Sequence, residues 1–371
     1  MQSDYQAMDE VEFLINMLKI YSPPLKEEKL AKKLAEWMRK DLGFEKVWMD
    51  RVNNVFGEIG FGSPTLLLCG HMDTVPGFRP VKVENDRVYG RGAVDAKSAL
   101  AAMIIATSRL RDKPIQGRVI IAAVVDEEGN SLGVKELIKE NLGINYGIFG
   151  EPGGVNAITI GYRGSVCLRI ICKTPTGHAS APWIANGGAI QKAFEIWQSI
   201  QTYISRQGIE HNNHRSLTAS ILKIHGGSIH SMIPNRCEMV INARIPVGNS
   251  SLQVSEELKN IALKFNSGET KVLTEIIDIT EPFKADINSP IVRALVRAIL
   301  NTQGVKPKFI YKTGTGDMNI LGNELKIPVV TYGPGNSRLS HTPDEYIEIK
   351  EYLESIKVYQ NAILELFKLH K

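Results

Sequence analysis

Three runs that are apolar or small at nearly every position, each followed closely by acidic or histidine side chains, constrain the fold of this chain more than any other feature. The runs cover residues 65–69, 118–125 and 146–149. Strands that are apolar at every position are typical of parallel sheets covered on both faces. Segments with helical spacing of apolar residues alternate with these runs, as at 96–111 and 132–141. This alternation predicts an α/β domain.

The order of predicted elements changes in the middle of the chain. The chain has 371 residues, which is more than one core commonly holds. Between residues 165 and 280 the order is strand, helix, strand, strand, helix, strand, as in a ferredoxin-like module. We therefore predict an α/β domain with a mostly parallel sheet, formed by residues 1–164 and 281–371. An α+β domain of residues 165–280 would be inserted into it.

Composition excludes several classes of protein. The chain has 44 basic and 40 acidic residues, a net charge of +4, and no basic run dense enough to bind nucleic acid. The longest apolar run, 119–125, is too short to cross a membrane. Residues 1–12 lack the pattern of a secretory signal. The four cysteines form no C-x-x-C pair, which disfavours a cysteine zinc site and fits a reduced, cytoplasmic protein.

Candidate metal ligands lie at or just beyond the ends of predicted strands. They are His71, Asp95, Glu128, Glu151 and His341, and Glu127 directly precedes Glu128 at the same strand end. In open α/β sheets, sites form outside the carboxyl ends of the strands, so these scattered positions can converge. Each also has an ordinary structural interpretation: Asp95 could cap a helix, and the glutamate pair could be a solvated turn. Their joint occurrence at strand ends favours a metal site.

Charge favours two metal ions over one. Asp95, Glu128 and Glu151 supply three negative charges, and one hydroxide would supply a fourth. Two divalent ions would then make the buried cluster neutral, which avoids the cost of burying net charge. Histidine and carboxylate ligands suit zinc, although cobalt or manganese could substitute for it.

Five segments of the chain resemble one family of enzymes. They are GHMDTVP at 70–76, GRGAVDAK at 90–97, DEEG at 126–129, GEP at 150–152 and SHTPDE at 340–345. They resemble the dinuclear zinc hydrolases that include acetylornithine deacetylase, succinyl-diaminopimelate desuccinylase, aminoacylase and carboxypeptidase G. The resemblance covers nearly the whole chain. It implies a zinc-peptidase-like catalytic domain and makes the inserted domain a lid or dimerisation domain.

The resemblance also implies a role for each candidate residue. The implied metal ligands are His71 and Glu151 for one ion, Glu128 and His341 for the other, and Asp95 as the bridge between them. Asp73 would orient the ring of His71. Glu127 would be the general base and acid, taking a proton from the metal-bridging water and delivering one to the leaving amine. The resemblance further implies a cis bond between Asp95 and Ala96.

Other residues of the resemblance concern the substrate. His178, in the segment 176–182, matches a lid histidine that would reach across a homodimer to stabilise the oxyanion, although it could instead cap the helix predicted at 187. Arg244 matches a position that can bind a substrate carboxylate, with a structural arginine as the alternative. Thr315 and Asn336 fall in loops on the substrate side.

Two segments narrow the resemblance further. Residues 161–164 and 312–319 are most similar to archaeal and thermophilic-bacterial enzymes that release lysine or ornithine from an amino-group carrier protein. The implied function is hydrolysis of the amide between the α-amino group of lysine or ornithine and the terminal glutamate side chain of a small acidic carrier, a step of amino-acid biosynthesis. A small-molecule N-acyl amino acid deacetylase, a dipeptidase and a metal-free binding scaffold are the alternatives. The complete ligand set argues against the scaffold.

Overall fold

The computed structural model describes residues 9–180, 187–207, 214–227 and 231–370. The helices are α1 Glu10–Lys19, α2 Glu28–Lys40, α3 Lys97–Ser108, α4 Leu132–Leu137, α5 Ala189–Arg206, α6 Ser251–Leu263, α7 Pro290–Gln303, α8 Asp317–Leu325 and α9 Ile349–Lys368, with a 3₁₀ helix at Ser337–Leu339. The strands are β1 Lys46–Met49, β2 Val55–Phe61, β3 Thr65–His71, β4 Lys82–Glu84, β5 Arg87–Tyr89, β6 Gly117–Val124, β7 Tyr146–Gly150, β8 Ala157–Tyr162, β9 Gly164–Lys173, β10 Thr218–Gly226, β11 Arg236–Ile245, β12 Lys271–Thr280, β13 Phe283–Lys284, β14 Lys308–Lys312, β15 Val329–Tyr332 and β16 Tyr346–Glu348. Within the described ranges, no helix combines the length and hydrophobicity needed to cross a bilayer.

The largest sheet is mixed. Its strand order is β1-β2-β6-β3-β7-β15-β8-β13, and β14 pairs with β8. The central strands β6, β3, β7 and β15 are parallel, whereas the flanking pairs are antiparallel. The predicted α/β class is confirmed, but the sheet is parallel only in its centre. One reason is that the short turn at residues 50–54 joins β1 to β2, and a connection of that length permits only antiparallel pairing.

A helix packed close to the sheet brings the ligand positions together. Every residue of β3 is buried, and α3, apolar and buried along nearly all its length, contacts both β3 and α9. A side chain at Gly70 would place its Cβ 2.8 Å from Met103 Cε, and one at Gly150 would place it 2.5 Å from the same atom. Glycine at the ends of β3 and β7 therefore lets α3 approach the point where the site begins.

The described residues form two compact units. The first consists of the residues up to Ile160, of Ala285–Ile310 and of those from Gly316 onward, and the second of those in Gly161–Lys284 and Tyr311–Thr315. The sequence had placed 311–315 in the first domain. That segment belongs to the second unit because the Tyr311 ring stacks on His214, with centroids 4.2 Å apart, and Arg163 Nε donates to the Thr313 carbonyl at 2.7 Å.

The second unit contains its own antiparallel sheet, in the order β10-β11-β9-β12. Helices α5 and α6 contact this sheet. Numbered within the unit, the strand order is 2-3-1-4, and the chain order is strand, helix, strand, strand, helix, strand. This is the chain order of a ferredoxin-like module. Alternate residues of β9 are buried, since one face of the sheet is covered by the helices.

Candidate metal centre

The candidate ligands of the first unit lie at the carboxyl ends of neighbouring strands. His71 is the last residue of β3, and Glu151 directly follows β7. Glu128 lies in the loop after β6, and His341 in the loop after β15. These strands are adjacent in the parallel centre of the sheet. Asp95 lies just before α3, and the Asp95–Ala96 bond is cis as expected.

The Asp95 carboxylate lies between two histidines. Its Oδ1 is 3.5 Å from His71 Nε2, and its Oδ2 is 3.3 Å from His341 Nε2. Each histidine has a glutamate of its own: Glu151 Oε1 is 3.3 Å from His71 Nε2, and Glu128 Oε1 is 2.7 Å from His341 Nε2. The structure therefore contains two histidine–glutamate pairs with one carboxylate between them.

Glu127 lies with the first of these pairs. Ligand atoms of His71, Glu127 and Glu151 lie within 4.8 Å of one another, as do those of Asp95, Glu128 and His341. By proximity alone, Glu127 could thus be a ligand.

The side chains present fit divalent cations. His71 Nε2 and Glu151 Oε1 are buried, and neither has a partner of hydrogen-bonding geometry in the described part of the chain. Buried polar atoms nearly always have a hydrogen-bond partner or another ligand. These two atoms are therefore candidates to bind a metal ion. Imidazole nitrogens and carboxylate oxygens are the donors that zinc, cobalt and manganese accept.

The electrostatics of the site reflect crowded carboxylates. Burial and the Asp95 charge raise the pKa of Glu151 to about 7, and burial and nearby carboxylates raise the pKa of Glu127 well above its usual range. Hydrogen bonds with Asp95 and Glu128 raise the pKa of His341 to about 10. Bound divalent cations would stabilise the charged forms of these carboxylates and so lower their pKa values.

Asp73 supports two parts of the centre. Its Oδ1 is 3.4 Å from His71 Nδ1, and its backbone carbonyl is 2.9 Å from the same nitrogen. The same carboxylate accepts the backbone N–H of Glu127 at 3.1 Å and that of Glu128 at 2.9 Å. The sequence analysis assigned Asp73 only the role of orienting the His71 ring. In the structure it also holds the backbone of the glutamate pair.

Glu345 is a functional residue that the sequence analysis missed. Its Oε1 accepts the backbone N–H groups of Gly92, Val94 and Asp95 at 3.0, 3.0 and 3.1 Å. Its Oε2 accepts from Arg91 Nη1 at 2.8 Å. This buried carboxylate thus fixes the loop that carries Asp95. The available signal was that Glu345 ends the segment 340–345, which also contains the candidate ligand His341.

Asp317 is a second acid to which the sequence assigned no role. It begins α8 and is fully buried, and neither carboxylate oxygen has a partner of good hydrogen-bonding geometry among the described residues. Burial raises its pKa to about 7. Its charge contributes to the raised pKa of Glu127, so it belongs to the electrostatic surroundings of that residue.

The predicted substrate residues are distributed over both units. In the second unit, Arg244 Nη1 donates to Thr315 Oγ1 at 3.2 Å. His178, also in that unit, is exposed, and its Nδ1 lies 2.7 Å from Ser180 Oγ; part of its predicted motif, 181–182, lies outside the described residues. Asn336 belongs to the first unit, where it is exposed and its side chain caps the short 3₁₀ helix.

The candidate metal-binding side chains lie together at the carboxyl edge of parallel strands, and further acids lie beside them. This arrangement is typical of a metal-dependent hydrolase. Comparison with known proteins gives the family. Residues 67–365 match Peptidase family M20/M25/M40, and the chain belongs to that family.

Similar proteins match along almost the whole chain. A Saccharolobus solfataricus protein named LysW-lysine/LysW-ornithine hydrolase is 36% identical over 361 residues, 96% of each chain. A Pyrococcus furiosus protein, provisionally given the same name, is 38% identical and covers 96% of this chain and 97% of its own. Aminopeptidase PepT of Bacillus cereus shares the fold, with a TM-score of 0.81, 21% identity and coverage of 98% and 99%. So does a dinuclear metal-binding peptidase of Bacillus subtilis, with a TM-score of 0.73, 15% identity and coverage of 96% and 97%.

Proposed function

We propose that this enzyme hydrolyses the amide between the α-amino group of lysine or ornithine and the terminal glutamate side chain of a small acidic carrier protein. The observation that carries the proposal is the 36% identity, over 96% of the chain, to a hydrolase named for LysW-lysine and LysW-ornithine. The free amino acid would be the product. The step would belong to amino-acid biosynthesis in the cytoplasm.

We propose two zinc ions per chain, with cobalt as a substitute. His71 and Glu151 would hold one ion, Glu128 and His341 the other, and Asp95 both. The support is that each Asp95 oxygen lies 3.3–3.5 Å from a different histidine. When bound, such ions polarise an amide carbonyl and lower the pKa of water.

Glu127 would move the proton. It would accept a proton from the water that attacks the amide carbon and pass it to the α-amino nitrogen as the C–N bond breaks. The products would be the carrier carboxylate and the free amino acid. The support is that the pKa of Glu127 is raised by burial and by Glu151 and Asp317, as suits a group that must carry a proton between two partners.

Arg244 and Thr315 would bind the α-carboxylate of the amino acid. The guanidinium is half buried, which lowers its pKa, and no carboxylate of the described ranges lies within 4 Å of it. A planar guanidinium suits bidentate binding of a carboxylate. We assign Asn336 to the substrate side as well. His178 would stabilise the oxyanion in the partner subunit of a homodimer formed through the inserted domain, which would act as lid and dimerisation domain.

The test is a substrate panel, run with and without added zinc. It contains lysine linked to the terminal glutamate side chain of an acidic carrier, acetyl-lysine, acetylornithine and a lysine dipeptide. We expect kcat/KM to be highest by far for the carrier-linked amide, because carrier contacts add binding energy that an acetyl group lacks. Equal or better turnover of the acetylated amino acids or the dipeptide would identify a small-molecule deacetylase or dipeptidase instead.

A further inference from the structure

A segment that follows α1 and leads into α2 is hydrogen-bonded to the loops after β3 and β6, which carry residues of the candidate metal centre. Within residues 20–29, Ser22 Oγ donates to the Met72 carbonyl at 2.8 Å. Glu27 Oε1 accepts the backbone N–H of Asp126 at 3.0 Å. Met72 follows the end of β3 and Asp126 follows β6, so this segment borders both loops that carry site residues.

Large apolar side chains are exposed on this segment and on the loop after β3, which we together call the border of the metal centre. Leu25 is 67% exposed, Phe78 54% and Tyr21 39%. The rings of Tyr21 and Phe78 meet edge to face, with centroids 5.9 Å apart, and the Tyr21 hydroxyl accepts the Gly77 N–H at 3.0 Å. The two rings are therefore already ordered. Ordered aromatic groups that remain exposed are typical of the residues that dominate binding energy in protein interfaces.

Positive charge accompanies the apolar side chains. Lys26, Lys29 and Arg79 are exposed, and no carboxylate in the described part of the chain lies within 4 Å of them. Lys29 also lines a groove of about 590 Å³, together with Ile20 and Trp37. The neighbouring lysines of α2 differ, since they pair with glutamates of their own helix. These three positive charges thus have no ion-pair partner among the residues that the structure describes.

We propose that this rim patch, formed by Tyr21, Leu25, Lys26, Lys29, Phe78 and Arg79, is the docking surface for the acidic carrier protein. The inference rests on the proposed function. Cations beside the centre that have no carboxylate partner among the described residues attract an acidic macromolecule and speed its association. The ordered rings supply apolar contact close to the metal centre, where the carrier terminus must arrive.

The test separates docking from chemistry. One probe is a synthetic peptide rich in Asp and Glu that ends in a glutamate whose side chain is amide-linked to the α-amino group of lysine. A second peptide has the same linkage after Asn and Gln, and acetyl-lysine is the third substrate. We compare wild type, Phe78→Ala and the triple variant Lys26→Glu, Lys29→Glu, Arg79→Glu.

The triple variant should lose roughly tenfold or more in kcat/KM on the acidic peptide at low salt. It should remain within about twofold of wild type on the neutral peptide and on acetyl-lysine. Phe78→Ala should raise KM for both long peptides and leave acetyl-lysine unaffected. The control carries the same change of charge on exposed lysines outside the patch, as Lys113→Glu, Lys306→Glu, Lys357→Glu, and should keep most of its activity on the acidic peptide.

The outcomes distinguish the two proposals. If wild type cleaves both peptides, but the patch variant loses no more activity than the control variant, the docking surface is refuted and the proposed function stands. If wild type with added zinc cleaves neither peptide, the proposed function fails and the docking proposal fails with it.

Discussion

Glu127 and Glu128 are neighbours in the chain, yet they face different groups. Glu128 Oε1 lies 2.7 Å from His341 Nε2, whereas Glu127 lies with His71 and Glu151. Asp73 accepts the backbone N–H groups of both glutamates. In the proposed mechanism, Glu128 binds a metal ion and Glu127 moves a proton.

Replacing Glu127 by Gln should abolish turnover and leave the metal content unchanged. Glutamine keeps the shape of the side chain but cannot accept the proton of the attacking water, and loss of a general base typically costs about a hundred- to ten-thousand-fold in kcat. Metal content by elemental analysis and kcat on a linked-lysine substrate are the measurements. The matched variant Glu128→Gln should lose metal. If Glu127→Gln loses metal and Glu128→Gln does not, the two roles are reversed.

The residues of the site could be predicted because they follow strands that the sequence marks clearly. His71 and Glu151 stand directly at the ends of apolar runs. Glu345 could not be assigned in this way, because its function depends on backbone groups about 250 residues earlier in the chain. The burial of Asp317 likewise depends on tertiary packing. Neither a long-range hydrogen bond nor burial by tertiary packing can be recognised from a local sequence pattern.

At the scale of elements, the loop before α3 depends on a distant carboxylate. Glu345 Oε1 accepts three backbone N–H groups of residues 92–95. A carboxylate that accepts several backbone hydrogen bonds binds more strongly than a neutral acceptor would. The segment that brings His341 to one metal position therefore also fixes the loop that presents Asp95.

Replacing Glu345 by Gln should weaken metal binding without removing a ligand. Loss of an outer partner of a metal ligand typically costs roughly 10- to 100-fold in metal affinity. Affinity is measured by competition with a chromogenic chelator, and kcat at saturating metal should change much less. Glu348→Gln, at an exposed carboxylate of β16, is the control. If Glu345→Gln lowers the melting temperature but keeps wild-type metal affinity, the carboxylate stabilises the fold without positioning Asp95.

The elements themselves were predicted unevenly. Strands β3, β6 and β7 were located within a residue or two, because burial on both faces gives them continuous apolar sequence. Strand β8 was missed, although all its residues are buried; it is a short run paired antiparallel with β13 and β15. Its pairing partners are distant in the chain, so its place in the sheet depends on tertiary contacts. The segment 311–315 was misassigned for the same reason, since its contacts are tertiary.

At the scale of the whole molecule, the described chain combines two units with different tasks in this account. The first holds all proposed metal ligands and Glu127, and the second holds His178, Arg244 and Thr315. The metal centre gathers buried carboxylates whose charge must be balanced. The account therefore requires cations for activity, and a ligand that binds only the native state also stabilises the fold.

Metal titration of the stripped enzyme tests this central claim most directly. Protein freed of metal is titrated with zinc, while the hydrolysis of a linked-lysine peptide and the amount of bound zinc are measured together. The account predicts negligible activity in excess chelator and a rise to full activity at two zinc ions per chain, as in other two-metal sites. Full activity at one ion per chain, or in excess chelator, would contradict it.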